Sequence, residues 1–176
     1  METGVIAYKF LDEGAVAPFT GFRWPDANGG PGEWVEASSL EPCRGGVHAC
    51  RVFDLPIWLA GELWEIELGG EIRELERKLV AARGRLLRRV EGWDDAARDA
   101  FARFCLQRTR LRVGSVPVLS GFVGDIEDFR IEGRIAIAAF AAARAAELRD
   151  GPAAYDAERR AQADWLAARL GLEQHL

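Results

Sequence analysis

At Gly92 the apolar residues of this chain change their spacing, and that change limits the fold more than any other feature. Before it, side chains alternate. In Leu63 to Leu68, Trp64, Ile66 and Leu68 face one way while Glu65 and Glu67 face the other, the period of two of a half-buried strand. After it, Trp93, Ala97, Phe101, Phe104, Cys105 and Arg108 fall on one stripe at helical spacing. Strands first and helices second describe an α+β chain, because a parallel α/β chain would alternate the two. Residues 1–91 are expected to form a β-rich half with an antiparallel, strongly curved sheet and one short helix. Residues 92–176 are expected to form a three-helix half that shares the same core.

Turn chemistry divides the first half. Val5 to Leu11 reads as a strand ended by Asp12-Glu13-Gly14, and Phe19 to Trp24 as a second extended piece closed by Pro25. Asn28-Gly29 and Pro31 mark a surface loop, and Glu33 to Glu36 a brief strand. Val47 to Val52 reads as a strand approached closely through Gly45-Gly46. Asp54 before Leu55-Pro56 resembles a helix N-cap, which predicts a short helix to Ala60. Gly69-Gly70 is a hairpin or bulge signal, and Lys78 to Val90 a long strand with Gly84 as a candidate bulge.

In the second half one helix follows Gly92, and Gly114 to Gly124 is a connector. A second helix is expected over 125–149, buried almost all round through its alanines. A third runs from Asp150-Gly151-Pro152 to a stop at Gly171.

Charge narrows the function. A net charge of -5 argues against a general nucleic-acid binder, since phosphate affinity comes from clustered Lys and Arg. The arginine-rich window 73–89 is diluted by Glu71, Glu74 and Glu76 and reads first as a solvated strand face with cross-strand ion pairs. The competing reading is a phosphate-holding patch in which Arg83 and Arg85 touch a ligand. The longest apolar run, Ile135 to Ala143, is far short of the ~20 residues of a membrane span. The opening Met1-Glu2-Thr3-Gly4 has no basic segment leading into an apolar one, so a cytoplasmic protein is expected. Its three cysteines are then reduced thiols or metal ligands.

The window from Cys43 to Glu67 is densest in side chains capable of chemistry. Cys43, His48 and Cys50 have the spacing C-x4-H-x-C, which reads either as three ligands of a tetrahedral zinc site or as packed thiols beside a hydrogen-bonded histidine. A fourth ligand for zinc would come from Cys105, His175 or a carboxylate. In a second reading His48 lowers the pKa of Cys50 or Cys43 to make a thiolate nucleophile. In a third, His48 is the polar anchor of a ligand pocket walled by Trp34, Trp58 or Trp64, with Glu65 and Glu67 as nearby carboxylates. Against the second stands the lack of an orienting third residue, and against the third an account in which the tryptophans are core and the glutamates are solvated. P-loop, G-x-G-x-x-G, G-x-S-x-G and H-E-x-x-H patterns are all missing, so common nucleotide, hydrolase and protease classes lose weight.

Cys43-Arg44-Gly45-Gly46-Val47-His48-Ala49-Cys50 resembles a group of uncharacterised phage and bacterial domains that carry C-x-x-G-F-H-A-C, followed by a short helix and an E-x-E strand. Here Val47 takes the phenylalanine position and Glu65-Ile66-Glu67 the later strand. The likeness covers the first half of the chain. Gly-aromatic-His elements of this shape also look like part of ADP-ribosyltransferase-type folds, although a partner set for a nicotinamide dinucleotide is missing.

The function expected from the sequence is therefore binding or transformation of a small molecule, a nucleotide being one candidate, at a pocket on the sheet around His48. Its catalytic candidates are His48, Cys50, Glu65 and Glu67. The competing class is a non-catalytic interaction or regulatory protein whose Ala-rich helices meet a partner or a second copy of the chain.

Overall fold

The computed structural model describes residues 4–25, 27, 29–41 and 45–173. It is an α+β structure that divides into two compact units, one spanning the first 91 residues and taking in Glu173, the other Gly92–Leu172.

The β unit is a five-stranded antiparallel sheet. Its strands are β1 (Val5–Leu11), β2 (Val35–Glu36), β3 (Val47–Ala49), β4 (Glu62–Leu75) and β5 (Lys78–Arg89). β4 and β5 form a long hairpin, with β1 along the free edge of β4 and with β2 and β3 both along the outer edge of β5. Alternation puts Ala7, Leu11, Trp64, Ile66, Leu68, Leu79 and Leu86 into one apolar cluster, closed by Trp24 from the loop after β1. Removing this much apolar surface from water is the main favourable term for a sheet of this size.

Two features of the β4–β5 pairing correct the sequence reading. Register slips where Gly70 and Glu71 of β4 face Ala82, and again where Leu87 of β5 is passed over between Glu65 and Ile66. Gly84 is no bulge, for it pairs in register with Leu68 and Val35. It is glycine because a Cβ there would lie 2.8 Å from Val47 Cγ1 and 3.2 Å from Ile66 Cδ1. Gly70, at φ +70°, opens the real bulge, a conformation that favours glycine.

Phe19 to Trp24 is a tight loop and no strand. Isolated bridges join Val16 to Asp12 and Arg23, and the Phe19 side chain is left 88% exposed. Glu62 anchors the loop: its carboxylate accepts the amides of Gly14 (3.0 Å) and Ala15 (3.1 Å) and the Trp64 indole N–H (2.9 Å). Ala15 is thereby held at φ +57°, which costs energy for a residue with a Cβ. Burial alone would raise the Glu62 carboxyl, but hydrogen bonds from Trp64, Gly14 and Ala15 and the charge of Arg89 outweigh it and hold it below the usual carboxylate range. The helix expected over 54–60 is a 3-10 helix, Val52–Ile57, capped by Arg51. Asp54 sits inside its first turn and takes the Arg51 guanidinium at 2.7 Å.

The helical unit has four helices, where three were expected: α1 (Asp95–Val113), α2 (Gly121–Ile131), α3 (Ile135–Asp150) and α4 (Pro152–Leu170). Asp94 caps α1 by accepting the Ala97 amide at 2.7 Å. The helix expected over 125–149 breaks at Gly133, φ +71°. There the Arg134 amide bonds the Phe129 carbonyl and the Gly133 amide bonds the Arg130 carbonyl, the two bonds of a Schellman stop. Trp93, Phe101, Phe104 and Trp165 form an aromatic cluster with centroid separations of 5.5–6.5 Å. On α4, Glu158, Arg159 and Gln162 are buried. Glu158 accepts both Arg108 and Arg112, and Gln162 donates to the Ala139 carbonyl at 3.0 Å.

Candidate functional site

Two places on the β unit gather the residues singled out by the sequence, and they differ in kind. The first surrounds β3. Val47 and Ala49 enter the apolar cluster, so alternation turns His48 away from it. Gly46 lets the chain reach this position, since a Cβ there would collide with Val80 Cγ1, and Val80 is the cross-strand neighbour of His48. Cys50 exchanges backbone hydrogen bonds with Tyr8 at 2.9 and 2.7 Å, and its thiol donates to the Tyr8 carbonyl at 3.3 Å.

Lys9 completes this corner. Its ammonium donates to the His48 carbonyl at 2.6 Å and lies 5.1 Å from the centroid of Trp24. Burial pulls its pKa down to about 8. Burial, reinforced by the charges of Lys78 and Lys9, lowers His48 to about 4. Burial pushes the Cys50 thiol up to about 12 despite Lys9 nearby. At neutral pH the corner therefore holds a neutral imidazole and a protonated thiol engaged as a donor. A thiolate nucleophile needs the opposite electrostatics. Among the described residues, no group of three or more His, Cys, Asp or Glu side chains is placed to hold a metal ion. Cys43 and His175, named for zinc, lie outside the described residues.

The second place is a notch at the β4 bulge. Trp34, immediately before β2, has the guanidinium carbon of Arg83 at 4.8 Å and that of Arg85 at 4.7 Å from its ring centroid. Arg85 also binds Glu67, with Nη2 at 2.7 Å and Nε at 2.8 Å from the carboxylate. Glycine makes room for this arrangement. A Cβ on Gly69 would sit 2.8 Å from Arg83 Nε and 3.3 Å from Trp34 Cη2. The resulting cavity is about 130 Å³ and is lined by Gly4, Trp34, Glu67, Leu68, Gly69, Gly70, Ile72 and Arg83. Glu36 stands opposite Arg83 in the β2–β5 register and is exposed.

Trp34, Arg83, Arg85 and Glu67 are thus brought together, while the remaining candidates go elsewhere. Trp64 is in the core with its indole N–H on Glu62. Trp58 donates to the Arg77 carbonyl at 2.7 Å and has Lys78 5.7 Å from its ring. Glu65 makes a two-point ion pair with Arg88. Neither His48 nor Cys50 lines the notch. Sequence reasoning missed Gly4, Leu68 and Ile72 as lining. Gly69-Gly70 was visible as a bulge signal, but its part in admitting Arg83 and Trp34 was not.

No protein-family model matches the chain, and searches of curated proteins and of solved structures find no significant match either.

Proposed function

We propose that this chain binds a small molecule through an anionic group seated in the notch of Trp34, Arg83, Arg85 and Glu67, which moves the sequence-expected ligand pocket away from His48. The observation that carries this reading is two guanidiniums packed against one indole ring, which with Arg83 borders a cavity beside Gly69 and Gly70. Guanidinium forks match carboxylate and phosphate oxygens, and the indole wall offers a flat apolar surface to whatever carries them. Arg85 is already fixed by Glu67, so less freedom is lost when a guest arrives.

Size limits the guest. A water molecule occupies about 30 Å³, so the notch takes a group of roughly carboxylate or phosphate size, with the rest of the molecule lying outside. A whole nucleotide needs the ~300 Å³ or more of ordinary ligand pockets. The curvature of the sheet, concentrated at the bulge, is what opens the notch in this reading. Cytoplasmic conditions suit Cys50 and Cys105, both buried free thiols.

Calorimetric titration of the full chain with malonate and with inorganic phosphate, at constant ionic strength, tests the proposal. Saturable binding that is lost in Trp34→Ala supports it. Heat that follows ionic strength alone, or binding unchanged in that variant, defeats it.

A second reading, the interaction protein, is favoured by α3. Ile137, Phe140 and Leu148 are 38%, 48% and 55% exposed and share one stripe of the helix. Concentration-dependent association that is abolished by Phe140→Asp would support it.

A further inference from the structure

The helical unit carries a second, separate concentration of arginines. Arg108 and Arg112, one turn apart on α1, both reach the Glu158 carboxylate of α4, which is 1% exposed. Arg108 binds it through Nε at 2.9 Å and Nη2 at 2.9 Å, and Arg112 through Nη1 at 3.0 Å. A carboxylate this buried needs such partners, and in return it fixes the direction of both guanidiniums.

Arg149, in the last turn of α3, joins them around a shallow, open cavity lined by Arg108, Leu111, Arg112, Arg149 and Asp150. Asp150 is the only acid in that lining. It stands 3.6 Å from Arg112 and 3.5 Å from Arg149, longer than the ~2.7–2.9 Å of a charge-assisted hydrogen bond. The donors of these two arginines are therefore not committed to it. Three guanidiniums against the carboxylates of Glu158 and Asp150 leave one positive charge in excess.

Arginines near helix C-termini are ordinary, because they complement the helix dipole. Their convergence on one cavity, with two members immobilised from behind by a buried acid, is not explained by the dipole.

We propose that this cavity binds a soluble phosphorylated small molecule, with Arg108, Arg112 and Arg149 contacting the phosphate oxygens and Glu158 acting as a positioning residue for the first two. The three guanidiniums stand on two helices around an open depression, so a diphosphate or phosphate ester, with more oxygens to offer than the bare ion, engages more of them. Leu111, 79% exposed at the rim, offers apolar contact to the ester group. The site is independent of the notch on the sheet.

The test is a titration of the full chain with sodium pyrophosphate, and in parallel with inorganic phosphate, at ionic strength held constant with chloride. The readout is the ¹H–¹⁵N signals of the arginine side chains. Saturable shifts of Arg108, Arg112 and Arg149 are expected, with pyrophosphate at least about tenfold tighter than phosphate. Arg149→Gln, at an exposed side chain with a loose partner, should weaken pyrophosphate about tenfold at an unchanged melting temperature, the size of one charge-assisted hydrogen bond. Arg112→Lys, which keeps the charge but loses the fork, should weaken it about fivefold or more. Trp34→Ala should leave these shifts intact, which separates this site from the sheet notch. Linear shifts, shifts reproduced by chloride, wild-type affinity in Arg149→Gln, or loss of binding in Trp34→Ala would each overturn the proposal.

Discussion

The β3 corner and the β4 notch lie on one sheet and are both built from residues singled out in the sequence, yet burial gives them opposite characters. At the corner, burial acts on each group separately: it strips the charge from His48, holds the Cys50 proton and weakens the Lys9 ammonium. At the notch, the side chains are held in place by neighbours, Arg85 by Glu67 and both arginines by the Trp34 ring. Residue type alone does not mark a site. What separates the two is whether polar groups are satisfied inward, by backbone carbonyls, or presented toward space a guest can fill.

The sharpest way to break this contrast is through Cys50. A thiol raised from near 9 to about 12 holds about a thousandfold less thiolate at neutral pH, so alkylation of native Cys50, followed by peptide mapping, should be at least about a hundredfold slower than in the unfolded chain. Rapid native labelling would restore the nucleophile reading. Next in size is the pair of tryptophans. Trp64→Ala should cost about 3–5 kcal/mol in denaturant unfolding, as for other buried aromatics. Trp34→Ala should cost about 1–2 kcal/mol, the worth of two cation–π contacts, while removing guest binding. Equal losses would erase the distinction between core and wall.

Arg83→Gln should weaken guest binding about tenfold, measured by calorimetry, with little change in stability. A pH dependence belongs to His48. Because its folded pKa is lowered to about 4 from 6.5, the unfolded chain binds more protons between those values. Stability should therefore rise with pH from about 4 to 6.5 and level off above. His48→Gln should flatten that segment of the stability curve.

Much of the sheet was legible because its signal is local. Alternation from Leu63 to Leu68 marks the first half of β4, which runs on to Leu75, and Gly69-Gly70, legible as a hairpin or a bulge, is a bulge. The helix break at Gly133 was hidden because apolar residues on both sides continue the pattern without interruption. Only the positive φ of the glycine ends the turn. Phe19 to Trp24 has strand-like composition, but backbone bonds within the loop, such as Ala17 to the Phe22 carbonyl, take the donors a strand would need. Trp34 and Arg83 were both named from the sequence, but their meeting depends on β2 pairing with the far side of β5, which no local pattern encodes. The approach of Lys9 to His48 is likewise a product of tertiary packing, and it adds to the burial and the Lys78 charge that keep the imidazole neutral.

The most direct measurement is a ¹H–¹⁵N titration of the full chain with malonate that follows the six tryptophan indole signals together with the imidazole of His48. Saturable movement of the Trp34 indole, with Trp64 and His48 still, is the predicted result. Movement of His48 with Trp34 silent would contradict it and return the guest to the corner.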